Sequence, residues 1–205
     1  MKTIVHEIPY SPASNLDEEI FTASSVFFDI ETTGFSPAHT SLYLIGCAYH
    51  IEQMLYIKQF FAETPEEEKE VLEQFLLLLD GFDTIITFNG IGFDIPYLKA
   101  KCNTYECNEH FADFTYVDIF KSISQIKHIL QLPNYKQKTI EAFLGIGRDD
   151  LYSGGELIEI YHSYTKEPRP DKLEILLLHN YEDVLDMPAL LPVLSYVHLF
   201  YGQYS

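Results

Sequence analysis

Apolar residues alternate or cluster over Val26–Glu31, Leu42–Tyr49 and Met54–Phe61, each rich in β-branched and aromatic residues, and this pattern predicts three strands. The first ends at Thr32-Thr33-Gly34, and the short polar step His50–Gln53 joins the other two as a hairpin, so an antiparallel meander is expected. Then the period changes. Over Pro65–Leu79 the apolar positions Val71, Leu72, Phe75, Leu76 and Leu79 fall at helical spacing, with Thr64 as N-cap, Pro65 at the first position and Gly81 after the end. Thr84–Phe88 predicts a short buried strand, Pro96–Lys101 a helix and Thr115–Val117 a fifth strand. Beyond Asp118 the chain reads as mostly helical, with a brief break at Thr165–Pro170. The order β-β-β-α-β-α-β-α, followed by more helices, predicts an α/β fold: a mixed sheet of three antiparallel strands plus parallel ones, flanked by helices. Residues 1–205 read as one domain, with residues 1–22 as an N-terminal extension.

Composition narrows the class. Of 205 residues, 47% are hydrophobic, with 15 Tyr, 15 Phe and no Trp, which is ample for one core and excludes a disordered chain. Three cysteines (Cys47, Cys102, Cys107) exclude a disulfide scaffold and fit a reducing cytosol. The first twenty residues contain no apolar secretory core, and the longest aliphatic runs are too short to span a bilayer, so a cytoplasmic protein without a membrane segment is expected. Cys102 and Cys107 with His110 do not match the common zinc-ligand spacing.

Charge argues against ordinary DNA binding, because 13 basic residues face 31 acidic ones for a net charge of −18. The distribution softens this. Lys121–Arg148 holds five basic residues (Lys121, Lys127, Lys136, Lys138, Arg148) and one acid, Glu141. That segment reads either as a phosphate-contacting surface or as a solvated face.

Three acidic segments carry candidate chemistry. Asp29 and Glu31 lie two apart on the first strand, so both project to one side near its C-terminal end. Asn89-Gly90-Ile91-Gly92-Phe93-Asp94 follows the strand at Thr84–Phe88, at the same end of the sheet; Asp94 serves there as a ligand, as a helix N-cap, or as both. In His179-Asn180-Tyr181-Glu182-Asp183, a helix opening at Pro170 with Asp171 and Glu174, and ending near Met187, sets His179 about 40° from Asp183. Tyr181 then points nearly opposite, and Asp186 lies near the Asp183 face. Four acids converging at one end of a sheet suit two divalent ions about 4 Å apart, which hold the attacking and leaving oxygens of a phosphodiester in line.

The residues Asp29-Ile30-Glu31-Thr32-Thr33-Gly34 resemble the first motif of the DEDD 3′–5′ exonucleases. Asn89 with Phe93-Asp94 resembles their second motif, and the helix around Asp183 their third. Lys138–Gly145 is similar to a little-characterised bacterial group of RNase H-like exonuclease domains. The resemblance implies an RNase H-like five-stranded sheet and a 3′–5′ exonuclease acting on single-stranded DNA or RNA. It implies two ions, Mg²⁺ or Mn²⁺, held by Asp29, Glu31, Asp94 and Asp183, with Asp29 shared by both. His179 becomes the candidate general base, and Thr32, Asn89, Phe93, Lys136 and Lys138 the candidate strand contacts. The third motif departs from the pattern: His179 has the residue type of one branch and the spacing of the other, and Asp186 is the alternative ligand.

The competing reading is a non-catalytic nucleic-acid-binding or protein-interaction module on the same fold, for which the acidic surface leaves room. An actin-like or sugar-kinase ATPase fits poorly, since Glu31 replaces a phosphate-loop glycine, 205 residues is short for two such lobes and the chain has no G-x-x-x-x-G-K-[ST] loop.

Overall fold

A computed structural model describes residues 1–12 and 14–201. Its sheet has six strands: β1 (Lys2–Pro9), β2 (Ser25–Thr32), β3 (Leu42–Ile51), β4 (Met54–Phe61), β5 (Thr84–Thr87) and β6 (Thr115–Asp118). They lie in the order β1-β4-β3-β2-β5-β6. β2, β3, β4 and β1 pair antiparallel, and β5 and β6 add in parallel beside β2.

The sixth strand corrects the expectation of five. The added strand comes from residues 1–22: β1 pairs with β4, and α1 (Asn15–Ile20) sends Ile20 and its neighbour Phe21 into the core. The sequence signal of β1 is weak because an edge strand buries little; in Lys2–Pro9 only scattered positions such as Ile4 and Ile8 are half-buried.

The remaining helices are α2 (Glu68–Leu79), α3 (Asp94–Tyr105), α4 (Ile119–Gln125), α5 (Lys127–Leu130), α6 (Gln137–Leu144), α7 (Gly154–Lys166), α8 (Pro170–Leu190) and α9 (Pro192–Tyr201). The helix expected from Pro65 starts as a 3₁₀ turn, Pro65–Glu67, and Thr64 makes no side-chain cap. α8 continues through Pro188 to Leu190, past the expected stop. A proline so near the last turn removes only one hydrogen bond, and the buried Leu190 and Leu191 hold the end in the core. Among the described residues, no helix is long and apolar enough to cross a membrane.

Two layers of core position the site. Val26, Phe28 and Ile30 of β2 face α2, where Phe28 meets Phe75 edge-on at 4.9 Å. The other face of β2 carries Phe27, Asp29 and Glu31, in one line by strand alternation. Cross-strand register builds three rows on this face: Ile57–Ala48–Phe27, Gln59–Gly46–Asp29 and Phe61–Leu44–Glu31. α8 covers them with Val184, Asn180 and Leu176, spaced four apart and all buried.

Candidate metal and catalytic site

The middle row explains how Asp29 is fixed. Gly46 has no side chain, and Asn180 fills the space: a Cβ on Gly46 would lie 2.1 Å from Asn180 Oδ1. Asn180 Nδ2 donates to Asp29 Oδ2 at 3.1 Å, and Gln59 Nε2 donates to Asn180 Oδ1 at 3.0 Å. A chain of buried amides therefore runs across the sheet to one carboxyl.

One row further on, the register slips. Glu31 pairs with Leu44 but Thr32 pairs with Leu42, leaving Tyr43 as a bulged residue. Tyr43 is buried against Tyr161, with ring centroids 4.2 Å apart, and its hydroxyl is held well above its usual range by burial and by the neighbouring Glu31 and Asp29.

Asp94 opens α3, with Phe93 rather than Asp94 at the N-cap position. The Asn89–Asp94 loop is tied down by Asp118, whose carboxylate accepts from the backbone N–H groups of Asn89 (3.1 Å) and Ile91 (3.2 Å). Asn89 has φ 68°, the left-handed region that Asn tolerates. Gly90 is required there, because a Cβ would sit 2.6 Å from Thr87.

α8 supplies His179 and Asp183. His179 Nε2 lies 3.5 Å from Glu31 Oε1 and 3.4 Å from Asp183 Oδ2. One donor atom each from Glu31, His179 and Asp183 falls within a 4.8 Å span. The other ring nitrogen, Nδ1, is 2.6 Å from Asp150 Oδ2. Tyr181 points away and meets His6 of β1 edge-on at 4.7 Å.

The carboxyls act on one another. Asp29 is raised well above the carboxylate range by burial first, then by Asp183, Glu31 and Asp94, with the Asn180 amide opposing. Glu31 is raised well above it by burial, Asp183, Asp94 and Asp150, with Arg148 opposing. Asp94 is pushed up to about 7 by burial, against its own and the Ile30 backbone N–H groups, with Asp118 and Asp183 adding to the rise. Asp186 is pushed up to about 7 by burial and Glu141, and Arg148 opposes this. Buried like charges are unfavourable unless a proton or a cation relieves them. Carboxylate oxygens are the donors that hard divalent ions take, so the carboxyls of Asp29, Glu31, Asp94 and Asp183 fit such ions, with the His179 imidazole standing beside them.

The loop from α6 to α7 was not legible as part of the site, yet three consecutive residues anchor it to α8. Arg148 Nη1 binds Asp183 Oδ1 at 2.6 Å and reaches Glu141 at 3.2 Å, and its Nη2 donates to the His179 carbonyl at 3.1 Å. Glu182 accepts from the backbone N–H groups of Asp149 (2.8 Å) and Asp150 (2.9 Å). Arg148 is more basic than a free guanidinium: burial alone would lower it, but Asp183 and Glu141 outweigh that.

The expected strand contacts are dispersed. Lys138 is committed to Asp150 Oδ2 (2.5 Å) and the Tyr152 carbonyl (2.8 Å), and Arg148 is buried among acids, so the basic segment is not one continuous phosphate surface. Thr32 Oγ1 donates to the Gly34 carbonyl at 2.8 Å. Phe93 is half-buried between Tyr97 (5.7 Å) and the exposed Phe35 (5.9 Å). Lys136 and Asn89 are exposed. Gly46 and Gln59 did carry a sequence signal, as a glycine and an amide inside apolar strands; Asp150 carried none.

A family model described as the RNase_H superfamily matches residues 26–195. The uncharacterized protein YprB of Bacillus subtilis (strain 168) is 29% identical over 177 residues, which is 84% of this chain and 41% of that protein. The chain thus spans about two fifths of that relative's length. A DNA polymerase of Methanocaldococcus jannaschii is 42% identical over 43 residues, 21% of this chain and 3% of the polymerase. Among solved structures, the family B DNA polymerase of the hyperthermophilic archaeon Pyrobaculum calidifontis superposes with TM-score 0.63 at 18% identity, over 86% of this chain and 24% of the polymerase.

Proposed function

The chain belongs to the RNase_H superfamily, and from that premise we propose that it hydrolyses phosphodiester bonds at the 3′ end of single-stranded nucleic acid. The observation that carries this reading is the gathering of Glu31, His179 and Asp183, whose donor atoms lie within 4.8 Å of one another, beside the carboxyls of Asp29 and Asp94, which repel the two acids.

In this reading the four carboxyls hold Mg²⁺ or Mn²⁺. Bound there, two such ions would polarise the scissile phosphate and stabilise the charge of the attacking and leaving oxygens. The Asn180 amide keeps Asp29 in place, so that carboxyl need not reorganise. His179 presents Nε2 toward Glu31 and Asp183, where it accepts the proton of the attacking water; Asp150 behind it fixes the ring. Lys138, bound to Asp150, orients that carboxylate.

The test is cleavage of 5′-labelled single-stranded DNA and RNA, with the 3′ end free or blocked, in Mn²⁺, Mg²⁺ or EDTA. Shortening from a free 3′ end, with metal only, is expected. Asp29→Ala and Asp94→Ala should abolish it while leaving the circular dichroism spectrum unchanged. Undiminished cleavage by both variants would overturn the assignment.

A further inference from the structure

Beside the loop that carries Asp94 lies a cavity of about 520 Å³. Phe88 and Asn89 line it from the end of β5, Phe120 from α4, Lys127 from α5, and Tyr135 and Lys136 from the segment entering α6. Pockets of this size hold a nucleoside-sized ligand. The residues lining it include two lysines and no acid, in a chain of net charge −18.

The wall is aromatic and cationic at once. Phe88 and Phe120 are tilted with centroids 5.9 Å apart. Lys127 Nζ stands 4.5 Å from the Phe120 ring centroid and 4.9 Å from that of Tyr135. The Tyr135 hydroxyl donates to the Lys127 carbonyl at 2.8 Å, which fixes that ring. Asn134 Oδ1 accepts from the Lys136 N–H at 3.1 Å and from Thr139 Oγ1 at 2.6 Å, so the backbone that carries Lys136 is held at the cavity mouth.

One residue of the cavity wall also touches the backbone of α8 at Asp183: Gln137 donates to the Asp183 carbonyl at 2.8 Å. Lys136 and Gln137 border a second cavity, of about 420 Å³, which His179 also lines. Lys136 thus belongs to the walls of both the aromatic cavity and the cavity that His179 lines.

We propose that this cavity seats an unpaired nucleobase of the bound strand, upstream of the terminal residue at the carboxylates, with Lys136 meeting the phosphate between them. The proposal rests on the reading of the site as a nuclease. Aromatic faces accept any base, and a lysine-lined mouth accepts the backbone without reading sequence. A paired base cannot enter without unstacking, so the cavity selects single strands.

The test is equilibrium binding by fluorescence anisotropy, in Ca²⁺, which takes the same oxygen ligands as Mg²⁺. The probes are 5′-fluorescein-labelled oligothymidylate and oligouridylate, and a series of the former with one abasic site moved along the strand. Tyr135→Ala should weaken binding of both strands by roughly tenfold. At one abasic position the wild type should lose about as much, and Tyr135→Ala should lose little more, because base and ring act as a pair. Tyr135→Phe, which keeps the ring, should restore binding; Tyr135→Leu keeps bulk without a π face and serves if the alanine variant fails to fold. Losses that simply add at every position would overturn the proposal. The experiment reads binding alone, so a strand bound with base–ring coupling but never cleaved in Mn²⁺ would overturn the nuclease reading and leave the seat. Cleavage without coupling would do the reverse.

Discussion

His179 offers one ring nitrogen to the carboxylates and gives the other to Asp150 at 2.6 Å. A charge behind the ring fixes its tautomer and its angle. Asp150→Asn keeps the shape and removes the charge, so turnover should fall about tenfold with Mn²⁺ affinity nearly unchanged; single-turnover cleavage beside a calorimetric titration separates the two effects. His179→Ala should lower turnover by roughly 10²–10⁴-fold, whereas Tyr181→Phe, whose ring packs on His6, should match the wild type. Asp94 adds a prediction about pH. Its carboxyl sits at about 7 against an ordinary 3.8. Between those values the folded chain keeps a proton that the unfolded chain has lost. Its contribution to the stability of the metal-free protein therefore declines as pH rises from about 4 through about 7. Asp186, also at about 7, works in the same direction. Melting in EDTA should drop by roughly 5–10 °C from pH 5 to pH 8, and Mn²⁺ should restore more at pH 8, where the carboxyls are free of protons. Equal melting temperatures at the two pH values would contradict the burial of these groups.

Among elements, β2, β3 and α8 make the site by register. Gly46→Ala should push Asn180 off Asp29, destabilise the fold by about 1–3 kcal/mol and weaken Mn²⁺ binding by tenfold or more; thermal melting and a metal titration read both. Wild-type behaviour would mean that the amide chain across the sheet is not needed. Much of this level was legible. The alternation in Val26–Glu31 placed Asp29 and Glu31 on one face, and the 100° step placed His179 with Asp183. Both depend only on local geometry. The contribution of β1 was not legible, because an edge strand is specified by its partner β4 more than by its own residues. The anchoring of Arg148, Asp149 and Asp150 on α8 was not legible either. It joins positions about thirty residues apart through buried ion pairs, which leave no periodic trace.

For the molecule as a whole, the local positive charge of Lys121–Arg148 divides into parts with different work. Lys136 is exposed at the mouth of a cavity, and Lys138 is held by Asp150. Lys136→Gln should flatten the log–log salt dependence of strand binding by about one unit, and Lys138→Gln should leave that slope alone and lower turnover instead. Equal effects on the slope would restore a single continuous phosphate surface. The order of the acids along the chain adds a consequence in time. Asp29 and Glu31 lie early, Asp94 midway, and Asn180 and Asp183 late, on the helix that closes over the sheet. During synthesis from the N-terminus, β2 leaves the ribosome long before the helix whose amide seats Asp29 and whose acid completes the cluster. A nascent chain thus carries its first two acids as ordinary, uncoupled carboxylates, and whatever chemistry the cluster performs is withheld until α8 has emerged and docked.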